Sequence, residues 1–385
     1  MLSDWRSVHD AYPINRRLVW LNNCGTTPAG LHVVEQMEQH FRAYAEQGPG
    51  ASAFSPARML GTIRSALADL IHCDREEIAL VHNTAEGMNL ISHGVQLDPG
   101  DQILVLEDEY PSNVYPWEHW KTRGVELRSV PLAVSPEAWL AKFRQSLTKR
   151  TKIAALSAVH WCTGMPLPLD AAAELCHDRG VLLVIDGSQG VGQVSIDMRE
   201  LGPCVLVFSA WKWLLGPLGL GVLAVDRELF GSIDPVFKGP ESVADSQAYL
   251  PYQTAFKRTA ERYVCSTPNC NDWSYFNASL ALLRAVGFGR VQARIHELSD
   301  HLYAGLTTMG FRGAYDRAAS PGSGIVAVDM PGVDCGHLVR LLHEKGIVAR
   351  ERQGRLRLAP HIYLLPEQLD RSLDTIASHL EEARI

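Results

Sequence analysis

Seven short, mostly apolar runs punctuate the middle of the chain: Ile78–Val81, Gln102–Leu106, Val125–Val130, Ile153–Val159, Val181–Ile185, Val205–Phe208 and Gly221–Val225. Helical periodicity falls between several of them, as at Pro136–Leu147 and Leu169–Arg179. Strands that alternate with helices are joined by crossovers, and crossovers make neighbouring strands parallel. Runs such as Val181–Ile185 lack the apolar–polar alternation of a one-sided sheet, as expected of strands covered on both faces. The pattern predicts an α/β fold whose large domain holds a mostly parallel, seven-stranded sheet.

Beyond the last run the pattern changes. Ser274–Met309 reads as helix interrupted at Gly287 and Gly289. Ile325–Asp329, His337–Lys345 and Leu356–Leu358 then suggest a small α+β C-terminal domain. The expected division is an N-terminal segment, 1–50, packing with the small domain; a large ligand-binding domain, 51–273; and a linking helix with the small domain, 274–385. Residues 231–260 are rich in Pro and polar residues without a clear period and read as a loop.

Composition narrows the function. The 385 residues suit more than one domain-sized unit, and 46% hydrophobic content suits a large core. A net charge of −7 leaves no basic footprint, so neither nucleic acid nor anionic membrane is an expected partner. The start Met1-Leu2-Ser3-Asp4-Trp5 lacks the basic and apolar regions of a signal peptide. No apolar run reaches the ~18 residues of a spanning helix. Eight cysteines without CxxC pairs read as reduced thiols in a cytoplasmic protein.

Lys212 is the residue most out of place. It lies in Phe208-Ser209-Ala210-Trp211-Lys212-Trp213, between tryptophans at the end of an apolar run. Desolvation favours the neutral amine, a nucleophile towards carbonyls, although a lysine at a strand end can also simply snorkel to water. Asp186 ends Val181-Leu182-Leu183-Val184-Ile185-Asp186. Ligands of open α/β sheets bind beyond the carboxyl ends of the strands, so Asp186 and Lys212 are expected in one crevice. They could form a structural ion pair. They could equally serve pyridoxal 5′-phosphate (PLP), the lysine on its carbonyl and the Asp on its ring nitrogen. Asn83-Thr84-Ala85-Glu86-Gly87 follows a short strand and opens a helix. Helix-start amides with a Thr hydroxyl suit a phosphate, although Thr84 alone could be an N-cap. The three segments together favour PLP.

At this point the chain resembles the class V aminotransferase and cysteine desulfurase group of fold type I PLP enzymes. The matching pieces run from Leu21-Asn22-Asn23 through Asn83-Thr84-Ala85-Glu86-Gly87, Glu109-Tyr110-Pro111-Ser112-Asn113, Ser157 to Gly164, Asp186-Gly187-Ser188-Gln189, Ser209 to Gly216 and Ser266-Thr267-Pro268-Asn269 to Arg357–Tyr363. The resemblance implies that Lys212 forms the internal aldimine and moves the proton at Cα. It implies that Asp186 keeps the ring nitrogen protonated and that Gln189 meets the phenolic oxygen. Thr84, the Ala85 amide and Ser209 are implied phosphate contacts, with Thr267 contributed across a homodimer interface. Arg357 is implied to grip the substrate α-carboxylate, with Asn23 also at the substrate. Tyr110 stands where many relatives stack a histidine on the ring, Trp211 where a histidine commonly precedes the lysine, and Trp161 near an asparagine of the desulfurases.

The stretch Arg350–Arg357 contains no thiol, and Cys335 is far upstream, which argues against a persulfide-forming desulfurase. The Val159–Gly164 region looks more like the epimerase-like and C–S lyase branch. The expected activity is Cβ–S cleavage of an α-amino acid through an external aldimine and quinonoid. An aminotransferase is the alternative, a racemase or epimerase the third choice, and a non-catalytic PLP-binding regulator the rival of another class. A nicotinamide site is not expected, because the Gly187/Gly190/Gly192 and Gly216/Gly219/Gly221 groups run in reversed order. No metal is expected either: His296 and His301 are one residue too far apart for H-E-x-x-H.

Overall fold

The computed structural model describes residues 4–49, 55–317 and 322–385; the expected boundary at 50/51 lies outside the described residues. The chain begins its strands with a two-residue β1 (Val19–Trp20). Seven strands then build the main sheet: β2 (Ile78–Val81), β3 (Gln102–Leu106), β4 (Glu126–Val130), β5 (Thr151–Ser157), β6 (Leu182–Asp186), β7 (Cys204–Ser209) and β8 (Gly221–Val225). Their order is β2-β8-β7-β6-β5-β3-β4. Every pair is parallel except those made by β8, which runs antiparallel to both neighbours. The expected α/β fold with a mostly parallel seven-stranded sheet is therefore present.

The missing alternation in the central strands has its explanation in two separate cores. Along β7, Val205 and Val207 join one apolar cluster, while Leu206 and Phe208 join the other. Along β5, Ile153 and Ala155 go one way and Ala154 and Leu156 the other. Successive side chains of a strand point to opposite faces, so a sheet covered on both sides needs apolar residues at every position.

The same register assembles a row of strand ends. Ser157 pairs with Asp186, and Asp186 with Val207. The helix Thr84–Gly94 packs against this end of the sheet. Its approach depends on small residues: a Cβ on Gly87 would lie 2.5 Å from Val207 Cγ1, and one on Gly221 would lie 2.9 Å from the Asn83 backbone. Glycine at both points lets the helix start reach the sheet edge.

The helices Cys270–Val286 and Phe288–Thr308 meet at Gly287, whose φ of +94° breaks the run. Gly289 does not interrupt it, because it sits within the second helix. A smaller antiparallel sheet follows, made of β9 (Arg312–Gly313), β10 (Val326–Asp329), β12 (Arg350–Arg352) and β13 (Arg355–Leu358) in the order β12-β13-β10-β9. Strand β11 (Ile347–Val348) instead pairs in parallel with β1. The N-terminal segment is thereby stitched to the C-terminal one, and the isolated bridge Asn22–Ala359 continues the seam. None of the helices among the described residues is long and apolar enough to cross a membrane.

Candidate active site

The ends of β6 and β7, the start of the helix Thr84–Gly94 and the hairpin β12–β13 enclose one cavity of about 460 Å³. Asp186, Lys212, Thr84, Ala85, Tyr110, Gln189 and Arg357 all line it, with Cys24, Ser188, Trp161, Trp211 and Arg352.

Asp186 is buried, and its Oδ1 accepts a 2.8 Å hydrogen bond from the Ser188 amide. Burial raises its pKa, opposed by the charge of Lys212 and the bonds from Ser188. Lys212 keeps part of its surface toward the cavity and is packed on its other sides. Burial lowers its pKa, and the Asp186 charge opposes that. Its Nζ lies 5.6 Å from the centre of the Tyr110 ring. Both groups are thus pushed toward neutrality while each holds the other toward charge.

The helix start has a specific local order. Asn83, not Thr84, is the N-cap: its Oδ1 accepts from the Glu86 amide at 2.9 Å. Thr84 is therefore free to point elsewhere, and its Oγ1 meets Ser188 Oγ at 2.8 Å. Ser188 Oγ also accepts from the Ser209 amide at 3.3 Å. Ser209 Oγ is buried with no hydrogen-bond partner among the described residues. Ser209 itself does not line the cavity.

Arg357 is buried at the edge of β13. Its Nη1 donates to the Trp161 carbonyl at 2.7 Å, its guanidinium carbon lies 5.9 Å from the Trp161 ring centre, and its Nε has no partner among the described residues. Trp161 Nε1 donates to the Asp108 carbonyl at 2.7 Å, and its ring meets Tyr110 edge-on at 5.6 Å. The two rings thus touch each other, with Arg357 near one and Lys212 near the other.

Besides Ser209, three expected residues are placed differently. Gln189 lines the cavity, but its amide is already engaged: Nε2 donates to the Cys24 carbonyl at 2.9 Å and Oε1 accepts from Trp213 Nε1 at 3.0 Å. Asn23, expected at the substrate, is fully buried and does not line the cavity. Its side chain is spent on Lys212 O and Tyr363 Oη, because the β1–β11 seam carries it beneath the lysine turn. Thr267 lies outside this cavity, in a second one of about 100 Å³ beside His82, Glu86 and Asp272.

Glu109 was not singled out from the sequence as a site residue. It is buried behind Tyr110 and accepts from Ser157 Oγ (2.6 Å), Ser157 N (3.0 Å), Tyr110 N (2.7 Å) and Asn113 Nδ2 (3.3 Å). Burial, then the charge of Asp186, raise its pKa to about 7 against the pull of those donors. A charged residue just past an apolar strand, beside a candidate stacking residue, was the available signal. Cys24 and Ser188 carried none, since a lone cysteine or serine in a loop has many ordinary uses.

The family model for aminotransferase class-V matches residues 19–362. A probable cysteine desulfurase from Methanothermobacter thermautotrophicus is 24% identical over 379 residues, covering 93% of this chain and 93% of the relative. Two solved structures have the same fold. One is a C-DES variant with glycine covalently linked to its PLP cofactor, at TM-score 0.88 and 22% identity over 96% of this chain and 98% of the other. The second is the cystine C–S lyase C-DES in complex with its reaction product cysteine persulfide, at TM-score 0.87 and 22% identity over 95% of this chain and 99% of the other.

Proposed function

The chain belongs to the aminotransferase class-V family, and on that premise we propose that it is a PLP-dependent lyase cleaving the Cβ–S bond of a cysteine-type α-amino acid. The observation that carries this is the meeting of Lys212, Asp186 and Arg357 in one cavity. An amine whose charge burial disfavours, a buried carboxylate and a planar cation are the groups that amino-acid chemistry on PLP requires. The choice of Cβ–S cleavage within the family draws on the relatives named for cysteine desulfuration and cystine C–S lysis.

The residues present fit the cofactor. Thr84 and Ala85 line the cavity at a helix start and would hold the phosphate, with Ser209, joined to Thr84 through Ser188 and with its Oγ unpartnered among the described residues, beside them. Bound PLP would supply the electron sink that stabilises charge at the substrate Cα. Asp186 would hold a proton at the ring nitrogen. Tyr110 would cover the ring face and Gln189 would lie along its edge, with one amide hydrogen still free of Cys24 O. Lys212 Nζ would take the proton from Cα and return it. Arg357 would bind the α-carboxylate through its fork. No thiol lies on the hairpin before Arg357, and Cys162, packed against it, is buried with its Sγ 3.2 Å from Gln353 Oε1. The sulfur product is therefore expected to leave in solution rather than on the hairpin.

Product analysis separates the family's reactions. Incubation with cysteine or cystine is expected to yield pyruvate, ammonia and a soluble sulfur product, sulfide from cysteine or a persulfide from cystine. A keto acid with pyridoxamine phosphate would indicate an aminotransferase, and inverted stereochemistry without cleavage an epimerase.

Loss of the Arg357 fork is expected to remove ~2–5 kcal/mol of substrate interaction, the scale for a desolvated charged pair. Arg357→Ala should lower kcat/KM for an α-amino acid steeply and leave an amine without a carboxylate little affected. Arg357→Lys should restore little. Equal losses for both substrates would assign Arg357 to the fold.

Assembly as a cytoplasmic homodimer is part of the same proposal. Thr267 lies in a different cavity from Lys212 within one chain, and a second copy would be needed to bring it to a phosphate. Light scattering should give a dimer, and Thr267→Ala should weaken PLP retention. A monomer with full activity would remove this part of the proposal.

A further inference from the structure

Lys212 sits on a turn that is strained and held from outside. Leu215, three residues on, has φ +57°, a left-handed conformation unusual for a branched residue. Its amide donates to Lys212 O at 3.2 Å, and Ser279 Oγ donates to its carbonyl at 2.7 Å. Such a backbone persists when its surroundings over-determine it.

The surroundings come from both ends of the chain. Asn23 Nδ2 donates to the same Lys212 carbonyl at 3.1 Å, and Tyr363 Oη donates to Asn23 Oδ1 at 3.0 Å. His361 Nε2 bonds the next carbonyl, Trp213 O, at 3.2 Å, which requires that nitrogen to carry the proton. Burial holds the His361 pKa down to about 3, so the ring stays neutral with one donor to give. The rings of Trp213, His361, Tyr363 and Tyr12 form a buried column, with centres 6.0, 5.7 and 4.5 Å apart in turn. Asn23 is fixed in its turn by its own amide on Ala359 O at 3.1 Å. Nothing in this set lines the cavity, yet every bond ends on the backbone of Lys212 or Trp213 or on a group that holds it.

We infer that Asn23, Tyr363 and His361 are positioning residues that aim the Lys212 amine by holding the carbonyls of Lys212 and Trp213. The N-terminal segment and the C-terminal region thereby set the reactivity of a lysine carried by the main sheet. The inference rests on Lys212 being the reacting amine. Asn23 would then act on catalysis from below the lysine, without touching the substrate.

The groups that face Lys212 are Asp186, Arg357, Cys24 and the Tyr110 ring. If the brace is loosened, the amine moves out of its packed position and its titration returns toward that of an ordinary lysine. The test uses the cofactor-free protein. Trace acetic anhydride labels it across a pH series, and mass spectrometry reads Lys212 against the exposed Lys149. Tyr363→Phe removes one hydroxyl and keeps the ring column; Asn23→Ala removes the whole link. In wild type, Lys212 should titrate below 10.5, the ordinary lysine value. Both variants should raise that midpoint by ~1 unit or more toward the ordinary value. In the loaded enzyme, kcat should fall on the order of 10–10²-fold with KM little changed.

The outcomes are distinct. A wild-type midpoint at the ordinary value would overturn the reading of Lys212 itself. A low wild-type midpoint, unchanged in Tyr363→Phe and in Asn23→Ala while both melt earlier, would overturn the brace and leave these residues a structural role. Tyr363→Phe decides the matter alone if Asn23→Ala does not fold.

Discussion

Lys212→Ala is expected to lower kcat by ~10⁴-fold, the upper scale for loss of a positioned acid–base group, while the chain remains folded. On the proposed function, the amine takes a proton from Cα and returns it. Its burial favours the neutral form. Removing it also strips Asp186 of the cation that holds its pKa down, so the carboxyl should keep its proton to higher pH. Small primary amines diffusing into the space should restore part of the rate. Steady-state kinetics with added methylamine checks both effects, and a near-normal rate in Lys212→Ala would remove the lysine from the chemistry.

Asp186→Asn is expected to cost ~10²–10³-fold in kcat, the scale of one preorganised electrostatic contact. The substitution is well suited to the question. Asparagine can still accept the Ser188 amide, so the end of β6 keeps its geometry and only the charge is lost. The charge can serve either of two roles, and they predict different results. As the partner of the ring nitrogen its loss slows turnover while PLP is still retained. As a mere ion-pair partner of Lys212, its loss should lower the lysine pKa further and leave the rate intact. Kinetics and lysine labelling on the same variant separate the two.

Much of this was legible in the sequence because it depends on local order. Asp186 at the end of an apolar run had to emerge at the carboxyl edge of a parallel strand, and Lys212 followed the next strand by the same rule. The ends of strands were less legible. The run Ile153–Val159 continues past its strand, because Ala158 turns to donate to Asp186 O and Val159 bridges Pro166. Thr84 could be read as an N-cap or a ligand contact, and only the capping bond of Asn83 separates the two. The helices Leu31–Gln47, Pro56–Ile71 and Pro366–His379 lie outside the strand–helix alternation and were not assigned from the sequence.

The role of Asn23 was out of reach for a different reason. Its partner Tyr363 is 340 residues away, joined through a seam of two-residue strands whose pairing no local pattern encodes. Glu109 has the same character, since its burial depends on Ser157 and Asp186 arriving from two other strands. Sequence periodicity thus placed the candidate residues at the strand ends, while the groups that surround them arrive through tertiary contacts.

Borohydride reduction followed by peptide mapping tests the central claim most directly. The purified protein, or the protein incubated with PLP, is reduced, digested and searched for the lysine that has gained the cofactor. The expected result is a yellow protein with the cofactor fixed on the peptide containing Lys212, and none fixed in Lys212→Ala. A colourless protein that gains no absorbance with added PLP, or a cofactor fixed on another lysine, would contradict it.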